Sequence, residues 1–195
     1  MAIAPDAHFD FPPVVTPRLE LSPGTSDDAA VLFPHVHGEN GRQVTDTLIW
    51  DGPDTVEDMV SFFELQETST FAEGGFHWLL RDRAGNLTGR PGEALGAIGL
   101  EEGGREDECE IGYWLAPPYW GRGLMVEAIV AISGLAFKQG YRLVEAEVYV
   151  HNTRGRGLVE KLGFRRDKLI KNFVVKRGVP IDAYRYVVTA NELTV

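Results

Sequence analysis

Apolar and polar positions alternate in some stretches of this chain and cluster in others. Residues 143–150 alternate. Val144, Ala146, Val148 and Val150 share one strand face, and Glu145, Glu147 and Tyr149 share the other. Residues 124–137 are apolar on nearly every face, which predicts a helix packed deeply on a sheet, closed by Gly140. A second helix follows Asp54 and Glu57, read as a D-x-x-E capping box, with a broad stripe of Val56, Met59, Val60, Phe62, Phe63 and Leu65. Ser26 or Asp27 caps another helix reaching about residue 36, and 153–162 forms a short one ended by Gly163. Strands are predicted at 19–21, 75–81, 94–101, 108–115, 164–175 and 181–188, with turns at 82–86, 102–105 and 176–180 and an exposed loop at 88–93. About seven strands and four helices in mixed order make an α/β or α+β layered domain. Residues 1–17 read as a Pro-rich, irregular arm, and 18–195 as one domain.

Composition narrows the function. The 195 residues suffice for one sizeable core, and 44% apolar with 25% charged residues is ordinary for a globular chain. With 19 basic and 29 acidic residues, the net charge of −10 excludes a broad basic face for nucleic acid and suits a cationic partner such as an amine. Cys109 is the only cysteine, so no internal disulfide forms; a buried structural thiol in a reducing cytoplasm is the expectation. The first residues, with Asp6, His8 and Asp10 among prolines, lack a signal-peptide profile, and no apolar run is long enough to span a membrane. His35, His37 and Glu39 lie close together, but their spacing fits no strong ligand pattern and no metal is expected.

The most specific stretch runs from Glu110 to Ala128. A strand, Glu110-Ile111-Gly112-Tyr113-Trp114-Leu115, enters a Pro117-Pro118 loop; Gly121 and Gly123 bracket Arg122; a helix starts at Leu124. Backbone N–H groups at a helix start have no partner within the helix, and the dipole there favours negative charge. Glycine lets a phosphate approach the main chain. The stretch therefore reads as a pyrophosphate cradle. A ligand-free Gly-rich turn is the plain alternative. A dinucleotide site is a third reading, which Glu145 on the next strand mimics, although its third glycine would fall at Val126.

This segment resembles the acetyl-CoA-binding motif of the GNAT N-acetyltransferase superfamily, and most of all its RimJ/RimL-like branch of ribosomal-protein acetyltransferases. The phosphate pattern [QR]-x-x-G-x-[GA] falls on Pro118-Tyr119-Trp120-Gly121-Arg122-Gly123, with Pro118 departing from it. A second match spans Asn152 to Phe164, where Glu160-Lys161-Leu162-Gly163-Phe164 is intact and Gly155 and Gly157 stand in the helix. Each glycine costs a helix roughly 1 kcal/mol against alanine, so that helix is frayed or its start serves a ligand. With Thr16-Pro17-Arg18-Leu19 and the last strands, the resemblance covers nearly the whole chain.

The resemblance implies a GNAT fold, with a mostly antiparallel mixed sheet splayed by a bulge at the cofactor strand and helices on both faces. It implies acetyl-CoA as co-substrate, held by the main chain of Tyr113, Trp114 and Leu115 and by Trp120, Gly121, Arg122, Gly123 and Leu124. Arg122, Arg154, Arg156 and Lys161 are the cations that could offset the phosphates. The implied acceptor is a primary amine, on a protein N-terminus or a small molecule, in a pocket shaped near residues 54–65; a homodimer is left open. Glu147 and Glu110 are the candidate bases, each with a solvated or capped carboxylate as the alternative, and His151 follows them. The family's tyrosine acid would fall at Val159, so Tyr113, Tyr119 and Tyr149 are the substitutes. Asn152 either bonds the pantetheine or acceptor, or caps its helix. A non-catalytic acyl-CoA-binding protein of the same fold is the competing reading.

Overall fold

The alternating stretches become one open sheet. In a computed structural model that describes residues 3, 4, 6, 7 and 12–194, eight strands run β1 (Val14–Val15), β2 (Leu19–Ser22), β3 (Phe76–Asp82), β4 (Ala94–Glu102), β5 (Glu108–Leu115), β6 (Leu143–Tyr149), β7 (Arg165–Lys176) and β8 (Val179–Val188). Their order across the sheet is β1-β2-β3-β4-β5-β6-β8-β7, and every pair is antiparallel except β5 with β6. This is the mixed, mostly antiparallel sheet that the resemblance implies. Residues 1, 2, 5 and 8–11 of the arm at 1–17 lie outside the described residues; within the rest, Val14 and Val15 already pair with Leu21 and Glu20.

Six α-helices connect the strands among the described residues: α1 (Ala29–Leu32), α2 (Gly38–Thr45), α3 (Val56–Thr68), α4 (Phe71–Gly74), α5 (Leu124–Lys138) and α6 (Thr153–Lys161). Helices α2 and α4 escaped the sequence reading. The first carries Gly38 and Gly41 and few apolar side chains; the second is four residues long. The single helix expected from Ser26 or Asp27 is instead a 3-10 turn, the short α1 and a second 3-10 turn, because Pro34 cannot supply the N–H a continuous helix needs. Its cap is Thr25. The capping box of α3 also lies one residue later than expected: Asp58 N–H donates to Thr55 Oγ1 at 3.1 Å, and Thr55 N–H donates to Asp58 Oδ2 at 2.8 Å. Thr55 and Asp58 satisfy the same S/T-x-x-acid logic that Asp54 and Glu57 mimicked.

Apolar side chains on the two sheet faces build two cores. Trp78, Leu80, Ile98, Leu100 and Ile111 pack beneath α5 together with Val159 of α6 and Leu162, which caps its end. Leu79 and Ala94 face the other way and meet Leu32, Val36, Val44, Met59 and Phe63. Phe62 and Leu65, expected within the α3 stripe, remain 44% and 61% exposed.

The feature that makes a site is the parting of β5 and β6. They pair only at Glu108↔Leu143, Cys109↔Val144 and Glu110↔Glu145. Beyond that, β6 stays with β8 as far as Tyr149↔Ala183, and β5 stays with β4 as far as Leu115↔Gly96. The β4–β5 register is continuous over this span, so divergence of the two strands opens the sheet where a bulge was expected.

Candidate active site

Where β5 and β6 diverge, the edge of Ile111–Leu115 loses its partner strand and backs onto a cleft of about 1210 Å³. Its walls bring together Glu110, Tyr113, Trp114, Leu115, Trp120, Gly121, Gly123, Leu124, Glu147 and Asn152, which the sequence placed far apart. Arg122 is the exception. Its guanidinium lies over the Tyr119 ring, 5.7 Å from the centroid, rather than along the cleft wall.

The loop is held open by its glycines. Gly121 and Gly123 have φ of 73° and 74°, a left-handed conformation that costs other residues roughly 1–2 kcal/mol. A Cβ on Gly121 would meet nothing within 4 Å, so the space above it is empty. Gly123 is the N-cap of the 15-residue α5, and no side chain among the described residues caps that helix. Its first N–H groups are left for an anion. Arg18 braces the loop from outside: Nη1 donates to the Arg122 carbonyl at 2.7 Å and Nε to Glu127 Oε2 at 2.8 Å. Burial works against the Glu127 charge, but hydrogen bonds from Thr16 and Arg18 keep its carboxyl below the usual range. Trp120 Nε1 donates to the Leu115 carbonyl at 2.6 Å and ties the loop to the end of β5. Arg154 covers the Trp120 ring at 3.9 Å, and both Arg154 and Lys161 line the cleft. Arg156 instead turns away to the Val150 carbonyl at 3.0 Å. These groups fit a diphosphate on a long thin ligand.

At α6, Asn152 Oδ1 accepts from Gly155 N–H at 2.8 Å, so Asn152 is an N-cap that also lines the cleft. The helix is regular from Thr153 to Lys161. A Cβ at Gly155 would meet Asn152 Nδ2 at 2.6 Å and Val148 Cγ1 at 3.0 Å, so its glycine serves close packing.

Carboxylates gather at the point of divergence. Glu110 and Glu147 both line the cleft. Burial, reinforced by Glu147, Glu101 and Glu145, raises the Glu110 pKa from 4.5 to about 8. Burial and Glu145 also raise Glu147, with Lys168 and Arg185 opposing them. Glu145, on the same face of β6 as Glu147, is closed off and only 4% exposed. Its carboxylate takes the Gly104 N–H at 2.9 Å and an ion pair from Arg185 Nε. Arg185 also binds Glu108 at 2.8 Å and Asp167 at 2.7 Å, and Arg142 reaches the other Glu108 oxygen at 2.8 Å. This knot fastens β5, β6 and β8 just before the sheet opens. Tyr149 ends β6, 2% exposed, lining the cleft with a hydroxyl that has no hydrogen-bond partner among the described residues; burial and Asp51 push its pKa up to about 12. Cys109 is fully buried and its thiol is raised by desolvation, in keeping with a structural role.

The far wall comes from the chain's two ends. Lys176, 7% exposed at the end of β7, donates from Nζ to the carbonyls of Thr45, Leu48 and Trp50 at 3.0, 3.0 and 2.8 Å and pairs with Asp51 at 2.7 Å. Nothing local in the sequence marks Lys176 or Arg185 for these roles, because their partners are remote in the chain.

Known proteins agree with this geometry. The family profile described as Acetyltransferase (GNAT) domain matches residues 18–165. A Bacillus subtilis (strain 168) protein named uncharacterized N-acetyltransferase YoaA is 24% identical over 178 residues, covering 90% of this chain and 96% of that one. A GCN5-related N-acetyltransferase from Brucella melitensis superposes with a TM-score of 0.79 at 20% identity, covering 98% of this chain and 84% of that one. Mycobacterium smegmatis RimJ, solved with CoA-disulfide, superposes with a TM-score of 0.76 at 21% identity, covering 91% and 84%. With the profile spanning β2 through α6 and the cleft in place between β5 and β6, the chain belongs to the GNAT acetyltransferase family.

Proposed function

We propose that this acetyltransferase moves an acetyl group from acetyl-CoA to a primary amine by direct attack of the neutral amine on the thioester. When bound, acetyl-CoA supplies an acyl group already activated as a thioester. The observation that carries the reading is the placement of two carboxylates with raised pKa in the same cleft as the glycine loop. Gly121, Gly123 and the start of α5 hold the diphosphate, with Arg154 and Lys161 supplying charge. The exposed edge of Tyr113–Leu115 positions the thioester arm. Glu110 and Glu147 accept the proton that the attacking amine sheds. A group with pKa near the working pH is a better base than an ordinary carboxylate. Glu110, at about 8, also lies close to a thiol near 8.5, so returning the proton to the departing sulfur is nearly isoenergetic. Tyr149, at about 12, is too weak an acid for that transfer, and its hydroxyl serves as a hydrogen-bond donor toward the reacting atoms.

The lone buried thiol supports a cytoplasmic setting. Val159, buried where the resemblance implies a tyrosine, favours the second reading, an acyl-CoA-binding protein without turnover. Release of CoA thiol over a panel of peptide and small amines tests both. Turnover with any amine removes the second reading. Tight CoA binding with no turnover across the panel removes the first.

A further inference from the structure

The acceptor end of the cleft has a gap in its floor where β5 carries no side chain. Gly99 on β4 stands opposite Gly112 on β5, on the sheet face toward α3, and is covered by the His77 ring, whose Nδ1 lies 2.7 Å from where a Cβ would stand. Gly112 is exposed, and a Cβ there would meet nothing within 4 Å. Around this bare patch the paired neighbours are Ala97↔Trp114 on one side and Glu101↔Glu110 on the other. Phe62 meets His77 edge-on at 5.9 Å, and Phe173 meets Tyr149 edge-on at 6.1 Å.

Charge along the cleft is separated. The lining's permanent cations, Arg154 and Lys161, both belong to α6. The strands that border the glycine floor contribute Glu101, Glu110 and Glu147 instead. Arg185 and Lys168 lie close enough to lower Glu147, but neither lines the cleft, and Arg185 is held by Glu108, Glu145 and Asp167. The Tyr149 hydroxyl is the independent sign of a ligand here: it is buried, lines the cleft and has no partner among the described residues. A buried hydroxyl left unpaired is costly, and a bound polar group relieves it.

We infer that the open floor at Gly112, flanked by His77, is the acceptor subsite and that it takes a primary amine on an apolar body with no carboxylate beside the nitrogen. This rests on the acetyl-transfer reading and names its substrate class. The ammonium is drawn to Glu110 and Glu147, and the apolar body lies over Gly112 between Trp114, Phe62 and Phe173. A carboxylate on the same carbon as the amine would face three acidic side chains with no permanent cation among the described residues that line the cleft beside them, His77 being already within 4.0 Å of Glu101. Free amino acids are thereby refused. A peptide N-terminus, whose carboxylate is replaced by an amide, and a simple arylalkylamine share the accepted chemistry.

Calorimetric titration with CoA present tests this without requiring turnover. Phenethylamine, phenylalaninamide and an amidated Phe-led tripeptide are compared with phenylalanine. The expected result is at least tenfold tighter binding of one or more carboxylate-free amines than of phenylalanine. Tightest binding of the tripeptide identifies a peptide source, and tightest binding of phenethylamine a small molecule. Gly112→Val fills the floor and should weaken the bound amine at least tenfold, with Gly112→Ala intermediate and the thermal shift by CoA retained. Phenylalanine binding as well as the others, no binding of any amine, or a Gly112→Ala and Gly112→Val series with unchanged affinity would overturn the subsite. Amine binding without thiol release would leave the subsite standing and defeat the acetyl-transfer reading alone.

Discussion

Glu147 pushes the proton of Glu110 toward higher pH across the line where two parallel strands part company. Glu110 is the member with a value, about 8, set first by burial and then by its acidic neighbours. With an acceptor of low pKa, so that the amine's own ionisation does not intrude, kcat/KM should rise with pH toward a limb near 8. Glu110→Gln or Glu147→Gln should lower the rate by roughly 10²–10³ and erase or displace that limb. Near-native rates and profiles in both variants would leave positioning of an already neutral amine as the whole of catalysis.

The same group predicts a stability effect. Its folded pKa of about 8 lies above its ordinary 4.5, so between those limits the folded chain binds more protons than the unfolded one. Stability therefore falls as pH rises through that window, and the penalty is fully present above about 8. Glu110→Gln removes it. Melting temperatures at pH 5 and pH 9 should show the variant gaining on its parent at the higher pH, at about 2–4 °C for each kcal/mol recovered. A constant difference at both pH values would contradict the burial of this charge.

At the phosphate loop, CoA at 100 times its Kd should stabilise the fold by roughly 2.7 kcal/mol, and NADH should not. Gly123→Asp adds a negative charge at the N-cap of α5 and a side chain at a φ of 74°. It should abolish the thermal shift by CoA. Arg18→Ala removes the brace on the Arg122 carbonyl and should weaken CoA severalfold without direct contact. An unchanged CoA affinity in Gly123→Asp would put the phosphates elsewhere.

Arg185→Met strips the cation from Glu108 and Glu145, which are 5% and 4% exposed. Glu108 keeps Arg142, but Glu145 loses its ion pair, and leaving that buried carboxylate uncompensated should cost about 3–5 kcal/mol. Adding Glu145→Gln to that variant should recover part of the loss in denaturant titrations. Simple additivity of the two changes would mean that they do not interact.

An attacking amine must first lose its proton. At pH 7 that costs roughly 1 kcal/mol for an α-amine near 7.7 and about 4.6 kcal/mol for a lysine near 10.4. A free peptide N-terminus should therefore be acetylated faster than an internal lysine in a matched peptide, as resolved by mass spectrometry of the two products.

Local signals carried the fold well. The strand-to-helix turn at Leu115–Leu124 and the alternation of β6 depend on neighbours in sequence, so they were legible. So were Glu110 and Glu147 as candidates. Thr55 and Asp58 were missed because Asp54 and Glu57 satisfy the same capping pattern one residue earlier. The burial of Glu145 was not legible, because alternation reports which residues share a side, not what covers that side; Arg185, 40 residues on, supplies the cover. Arg122 was expected in the cleft by its place between two glycines, yet Tyr119 offers its guanidinium a ring to lie on.

Lys176 reaches back 131, 128 and 126 residues to the three carbonyls it holds. Closures that long are slow, since the chain loses its freedom before the contacts form. The segment at 45–51 is made early, and its three carbonyls meet this lysine only after β7 has followed. One wall of the cleft is thus begun near the start of the chain and tied by residues close to its end. A nascent chain lacking β7 and β8 already contains the turn at 121–124 and still lacks that tie.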